Sequence, residues 1–176
     1  MGFHFTKNPL KIIHSYIYAQ KKQKAYNKTK YQEEQNKLFK PQKKILIFSQ
    51  FYNIKDKFIS SYIINYLESS NIIPIIPSHL PSKLALSFSD YFSDTLYWHY
   101  SKELVGSLYY YSRQIDGIIY LSTYPCGVSA LVNNLAISKY PTIPSISLLI
   151  DENITDISLE TKLESFIDII NGGSNE

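Results

Sequence analysis

The single cysteine of this 176-residue chain, Cys126, lies in the stretch Ser122-Thr123-Tyr124-Pro125-Cys126-Gly127-Val128-Ser129, between an apolar run and a helical pattern. A thiol at the start of a helix faces unpaired backbone N–H groups and the positive end of the helix dipole, which favours the thiolate. Thiolate is the form that ligates iron or attacks an electrophile. Pro125 and Gly127 make the turn tight and leave room beside the sulfur. Two other stretches place polar groups after apolar runs: Ser49-Gln50-Phe51-Tyr52-Asn53-Ile54-Lys55-Asp56, and Asp151-Glu152-Asn153. At this level a second reading of Cys126 stays open, that of a small buried residue that happens to occupy a turn.

Each chemistry open to these residues needs partners. A nucleophilic thiol needs a base. The histidines are His4, His14, His79 and His99; none stands in a recognisable pairing with Cys126, and His79 is the best placed. A cubane iron–sulfur cluster takes four thiolates or a near equivalent, and the chain offers one. Asp151 and Glu152 add hard oxygen ligands, although adjacent acids after a strand also cap turns. Without a metal, the helix N-termini after the first and third strands could hold the phosphates of CoA or another anion, with Asn53, Gly127 and Ser129 as donors. No G-x-G-x-x-G, P-loop or H-E-x-x-H motif is present, so the groups for dinucleotide binding, P-loop ATP hydrolysis and zinc peptidase chemistry are missing.

These turns need strands and helices to present them. Residues 11–39 hold no proline or glycine. Ile12, Ile13, Tyr16, Ile17, Ala19 and Tyr26 place apolar groups on one helical side; the pattern thins after Ala25, which predicts a buried first half and an exposed second half. Lys44–Ser49 reads as a strand covered on both faces. Asp56 is placed to cap the next helix, where Phe58, Ile59, Tyr62, Ile63, Tyr66 and Leu67 form an amphipathic face. Ile72–Ile76 follows as a short or edge strand because of Pro74. Residues 77–97 read as a long irregular segment. Then come a helix from about His99, a strand at Ile118–Ser122, a helix after Cys126, a strand at Ile146–Ile150 and a helix from about Leu159 to Ile170. The alternation predicts a three-layer α/β fold, Rossmann-like or flavodoxin-like. It has a mostly parallel four-stranded sheet with helices on both faces, preceded by a long basic helix. The division expected is a helical arm over 1–42, the α/β domain over 43–170 and a flexible tail over 171–176. In such sheets ligands gather beyond the carboxyl ends of the strands.

Composition narrows the setting. One cysteine rules out an internal disulfide, and the longest apolar runs, such as Ile45–Phe48, are too short to span a bilayer. The start lacks the layout of a signal peptide, and Met1-Gly2 with Thr6 fits only the loose myristoylation pattern. The expected compartment is the cytosol, with no membrane partner. Residues 1–44 carry eleven lysines against two glutamates, whereas residues 45–176 carry seven cations against thirteen acids. The basic segment has no arginine and no nucleic-acid reader motif, so it reads as a solvated helix face or one that docks on acidic surface, with no nucleic-acid partner. The excess of Ile, Lys, Asn and Tyr fits an AT-rich bacterial coding bias.

Taken in order, the turns resemble those of the acyl-CoA dehydratase activase-related proteins, relatives of the 2-hydroxyglutaryl-CoA dehydratase subunits. Where that family has a strand ending in Gly-His/Arg-Pro-Tyr-Asn with an aspartate soon after, Tyr52, Asn53 and Asp56 match, and Gln50 and Phe51 differ. Where it has an Asp-Gly strand leading to aromatic-x-Cys-Gly-Pro-Asp-Ser, Asp116, Gly117, Tyr124, Cys126 and Gly127 match, and Val128, Ser129 and Ala130 differ. Where it has Asp-Glu-His and then Thr-Arg-x-Glu-Ala-Phe, Asp151, Glu152, Thr161, Glu164 and Phe166 match; Asn153 and Lys162 differ. The likeness covers about residues 43–170.

The resemblance implies one domain of a much longer anaerobic redox protein, without the actin-like ATPase portion of the full-length relatives. It implies that Cys126 is one ligand of a 4Fe–4S cluster shared with a partner chain, a larger cysteine-bearing or ATPase-containing relative. Tyr52, Asn53, Asp56, Tyr124, Gly127, Ser129, Asp151, Glu152, Thr161 and Lys162 would line the ligand side, with acyl-CoA as the substrate class. On that reading the chain is a subunit or fragment of a 2-hydroxyacyl-CoA dehydratase-type complex, inactive alone. The alternative is a non-catalytic scaffold or CoA/anion-binding domain left from a longer gene.

Overall fold

The computed structural model describes residues 8–92, 96–123, 126–151 and 156–172. The run KILIF forms β1 (Lys44–Phe48), buried at every position after Lys44, as a strand covered on both faces requires. Its neighbours are β2 (Ile73–Ile75) and β3 (Gly117–Thr123), and β4 (Ser145–Ile150) pairs with β3, so the strand order is β2-β1-β3-β4. Every pairing is parallel. Pro74 sits in β2, an edge strand, where a missing N–H costs least.

Alternation along the strands feeds two cores. Leu46, Phe48, Ile118 and Tyr120 face one; Ile45, Ile47, Ile119 and Leu121 face the other. The second core is closed by α3 (Lys57–Ser69) and α7 (Asp156–Ile170), which contribute Ile63, Leu67, Leu163 and Phe166. The first is closed by α4 (Ser82–Ser89), α5 (His99–Tyr111) and α6 (Gly127–Lys139), with the last turns of α1 (Pro9–Leu38) packed against it. A one-turn helix, α2 (Phe51–Lys55), joins β1 to α3. This is a three-layer, Rossmann-like α/β fold. No helix among the described residues is long and apolar enough to cross a membrane.

Local chemistry fixes the boundaries. Asp56 caps α3, accepting the Phe58 N–H at 2.9 Å, and Asn71 ends it with φ 59°, a left-handed conformation that asparagine tolerates. Asp116 staples the sheet's amino end. One carboxylate oxygen accepts the Lys44 N–H at 2.8 Å and the other meets the Lys43 ammonium at 3.1 Å. Gly117 follows because a side chain there would meet α7; an added Cβ would stand 2.4 Å from Ile170 Cδ1.

Two expectations are corrected. The segment 77–97 is not irregular throughout. A 3-10 turn spans Pro77–His79, and α4 packs closely on α5. Gly106 makes that approach possible, since a Cβ there would lie 1.9 Å from the Ala85 carbonyl oxygen. On α1 the first half is exposed rather than buried, and of the second half only the last turns pack on the fold. Ile13, Tyr16 and Ile17 are 55%, 64% and 48% exposed, whereas Tyr31 and Leu38 pack on the core and Glu34 is buried. The Glu34 carboxylate accepts the Ile76 N–H at 2.6 Å, meets His79 Nδ1 at 3.0 Å and pairs with Lys37 at 3.3 Å. The last third of α1 is therefore tied to the end of β2.

Candidate functional site

The connection from β1 runs to β2 through α3 on one face of the sheet. That from β3 runs to β4 through α6 on the other. The chain thus leaves β1 and β3 in opposite directions and opens a crevice at their carboxyl ends, the place where α/β sheets bind ligands. Two of the three turns singled out from the sequence meet there.

Cys126 is the N-cap residue of α6. Its half-buried sulfur accepts from the Ser129 hydroxyl at 3.1 Å, from the Ser129 N–H at 3.4 Å and from the Tyr52 hydroxyl at 3.5 Å. Donation by the Ser129 hydroxyl, then by Tyr52 and the backbone N–H groups of Ser129 and Val128, holds the thiol below its ordinary pKa against an opposing effect of burial. Tyr52 moves the other way: burial first, and then its hydrogen bond to the sulfur, raise its phenol. Beside the sulfur Gly127 faces open space: a side-chain carbon added there would meet no atom within 4 Å.

Under this contact lies a polar tie between the strands. Asn53 is fully buried; its Nδ2 donates to Ser49 Oγ at 3.0 Å, and its Oδ1 accepts from the Thr123 hydroxyl at 3.4 Å. Ser49 donates in turn to the Leu121 carbonyl at 2.8 Å. This network fixes α2 over the end of β3, and so aims the adjacent Tyr52 at Cys126. Neither family models, nor curated proteins, nor solved structures show a significant match to the chain.

The other sequence-derived positions fall elsewhere. Asp56 caps α3. Asp151 is exposed at the end of β4. Thr161 donates to the Ile157 carbonyl of its own helix, and both Thr161 and Lys162 lie on the exposed side of α7, across the sheet from α6. Tyr124 and Glu152 lie outside the described residues. His79 is not brought to Cys126: it lines a cleft that Cys126 does not, its Nδ1 meets Glu34 at 3.0 Å, and the partners of the sulfur are Tyr52 and Ser129. Two of the three donors expected for a phosphate are already used: both Ser129 groups point at the sulfur and Asn53 has no exposed surface. Among the described residues no three or more His, Cys, Asp or Glu side chains gather as a metal site. The described residues supply one thiolate ligand and no complete cluster site.

The structure adds a cleft of about 800 Å³ that shares Ser49, Gln50, Phe51 and Lys55 with the first turn but is not lined by Cys126. It opens between α1, the ends of β1 and β2, and the α4–α5 pair. Five lysines line it, Lys24, Lys28 and Lys30 from α1, Lys55 from α2 and Lys83 from α4, against one carboxylate, Glu103. The rings of Tyr26, Tyr31, Phe51 and Tyr100 form much of its wall. Lys24, Lys28 and Tyr31 share a helix face by their spacing, a signal present in the sequence. The opposite wall gives no such signal, because the prolines and serines of residues 77–97 mask α4.

Proposed function

We propose that the chain is the thiolate-presenting subunit of a dehydratase-type redox assembly, in which Cys126 supplies one ligand to an iron–sulfur cluster completed by a partner's thiolates. The observation that carries this reading is the convergence of Tyr52 and Ser129 on the Cys126 sulfur at the sheet's switch point. Two segments that carry the family resemblance, far apart in sequence, meet on one atom. Hydrogen bonds of this kind favour the ligating thiolate and tune whatever it binds. When bound, such a cluster supplies single electrons for removing water from a 2-hydroxyacyl-CoA thioester. Here the chain's own residues lower the pKa of the thiol and orient the sulfur, and Gly127 leaves the approach to it clear.

Anaerobic co-expression with a cysteine-bearing chain, taken from the adjacent reading frames where one encodes it, followed by iron and sulfide analysis, tests the reading. Iron should co-purify with the complex and fall with Cys126→Ser. Iron content that ignores that substitution removes the ligand role.

A second reading is favoured by one observation, the exposed Ile13, Tyr16 and Ile17 on a helix that also carries Lys21 and Lys22. On it the chain is a non-catalytic scaffold whose α1 docks on an acidic partner. Lys21→Glu with Lys22→Glu should then abolish co-purification, while Cys126→Ser leaves it intact.

A further inference from the structure

We infer that the α1 cleft binds a phosphorylated ligand with a planar aromatic body, the chemistry of a nucleoside phosphate, at a site separate from Cys126. The volume, about 800 Å³, is that of a small-molecule pocket. Its position beyond the carboxyl ends of β1 and β2 is where α/β sheets take ligands.

The charge pattern selects the head group. A single carboxylate would be matched by one or two cations, whereas five lysines against one glutamate suit a multiply charged phosphate group. Lys30 is committed to Glu33 at 2.6 Å, and Lys55 lies over the Tyr26 ring at 5.7 Å. Lys24, Lys28 and Lys83 have no ion pair among the described residues, and they stand on two different walls. Three like charges held around one cleft repel one another until an anion enters.

The ring pattern selects the body. Phe51 and Tyr100 sit with centroids 5.0 Å apart and are 42% and 57% exposed, so their outer surfaces are open to a flat group. Stacking on such rings tolerates any planar base. An acyl chain would use the apolar walls but not the surplus of lysines.

Calorimetric titration of the full chain with ATP, AMP, inorganic pyrophosphate and laurate tests the inference. ATP should bind saturably and more tightly than pyrophosphate. Lys24→Glu with Lys28→Glu should weaken ATP about tenfold or more, and Lys83→Glu, on the opposite wall, should do the same. All three lysines are exposed, and circular dichroism checks that the variants fold. Tyr100→Ala should weaken ATP while leaving pyrophosphate unchanged, which separates the ring from the charge. Any one of four results overturns the proposal: no saturable heat with ATP or AMP, pyrophosphate binding as tightly as ATP, laurate binding where ATP does not, or lysine variants with unaltered ATP affinity.

Discussion

Cys126 draws its acidity from neighbours that carry no charge. The Ser129 hydroxyl, the Tyr52 hydroxyl and two backbone N–H groups all stabilise the anion, and burial works against them. Alkylation by iodoacetamide should therefore show a pH midpoint below the ordinary thiol value of about 8.5. Ser129→Ala removes the largest contribution and should raise that midpoint more than Tyr52→Phe does. Mass spectrometry reads this without ambiguity, because the chain has one cysteine. A midpoint at or above the ordinary value, or one that ignores both substitutions, would remove the basis for a thiolate. Half of this arrangement was legible in the sequence. A cysteine at a helix start with serine three positions on is a local pattern, since the side chain at an N-cap meets the N–H of that residue. The Tyr52 contact was not legible, because it joins residues 74 positions apart and depends on the pairing of β1 with β3. Asn53 shows the opposite failure: its place in a polar turn suggested a ligand donor, but its amide is spent on holding two strand ends together.

At the scale of the elements, α1 and the α4–α5 pair are held by contacts that apolar periodicity cannot detect. Glu34 anchors α1 through three partners, one of them a strand-end N–H. Glu34→Ala leaves that N–H and the neighbouring His79 without their acceptor, while Lys37 keeps only the Pro74 carbonyl, and should cost about 3 kcal/mol in urea unfolding. A loss well under 1 kcal/mol would mean that α1 is held by its other contacts, Tyr31 and Leu38 on the core and the hydrogen bonds of Gln35 to Tyr110 and of Lys37 to the Pro74 carbonyl. Gly106→Ala offers a test of sign. In an open helix interior it would stabilise by about 1 kcal/mol. Against the Ala85 carbonyl it should destabilise by about 1–3 kcal/mol, as overpacking does. These two sites also explain what the sequence concealed. The stripe Ile12, Ile13, Tyr16 and Ile17 looks like a core face and is mostly solvated, while the last turns of α1, which pack on the fold, present glutamate and glutamine among their packed residues. The sheet, by contrast, was legible, since near-continuous apolar runs bounded by Asp-Gly, Asn and Pro have few other folds open to them.

For the molecule as a whole, the tyrosine-rich core sets how stability responds to alkali. Tyr111 and Tyr120 are buried in the first core, and neither hydroxyl has a hydrogen-bond partner among the described residues. Desolvation raises both phenols well above the ordinary value of about 10. In the unfolded chain they ionise near that value, whereas in the folded protein they stay neutral. The stability they contribute is thus complete below about pH 10 and is lost as pH climbs from there toward the folded-state values. Tyr111→Phe and Tyr120→Phe remove the phenols and, with them, the cost of an unpaired buried hydroxyl. Each variant should be more stable than the parent near neutrality by about 1–3 kcal/mol. The advantage should widen above pH 10, by up to about 1.4 kcal/mol per pH unit for each tyrosine removed. Urea unfolding near pH 8 and near pH 11 measures both effects, on either side of the ordinary phenol value of about 10. A Phe variant weaker than the parent near neutrality would show that the hydroxyl is paired. A constant gap across the two pH values would show that it ionises as readily in the fold as in the open chain.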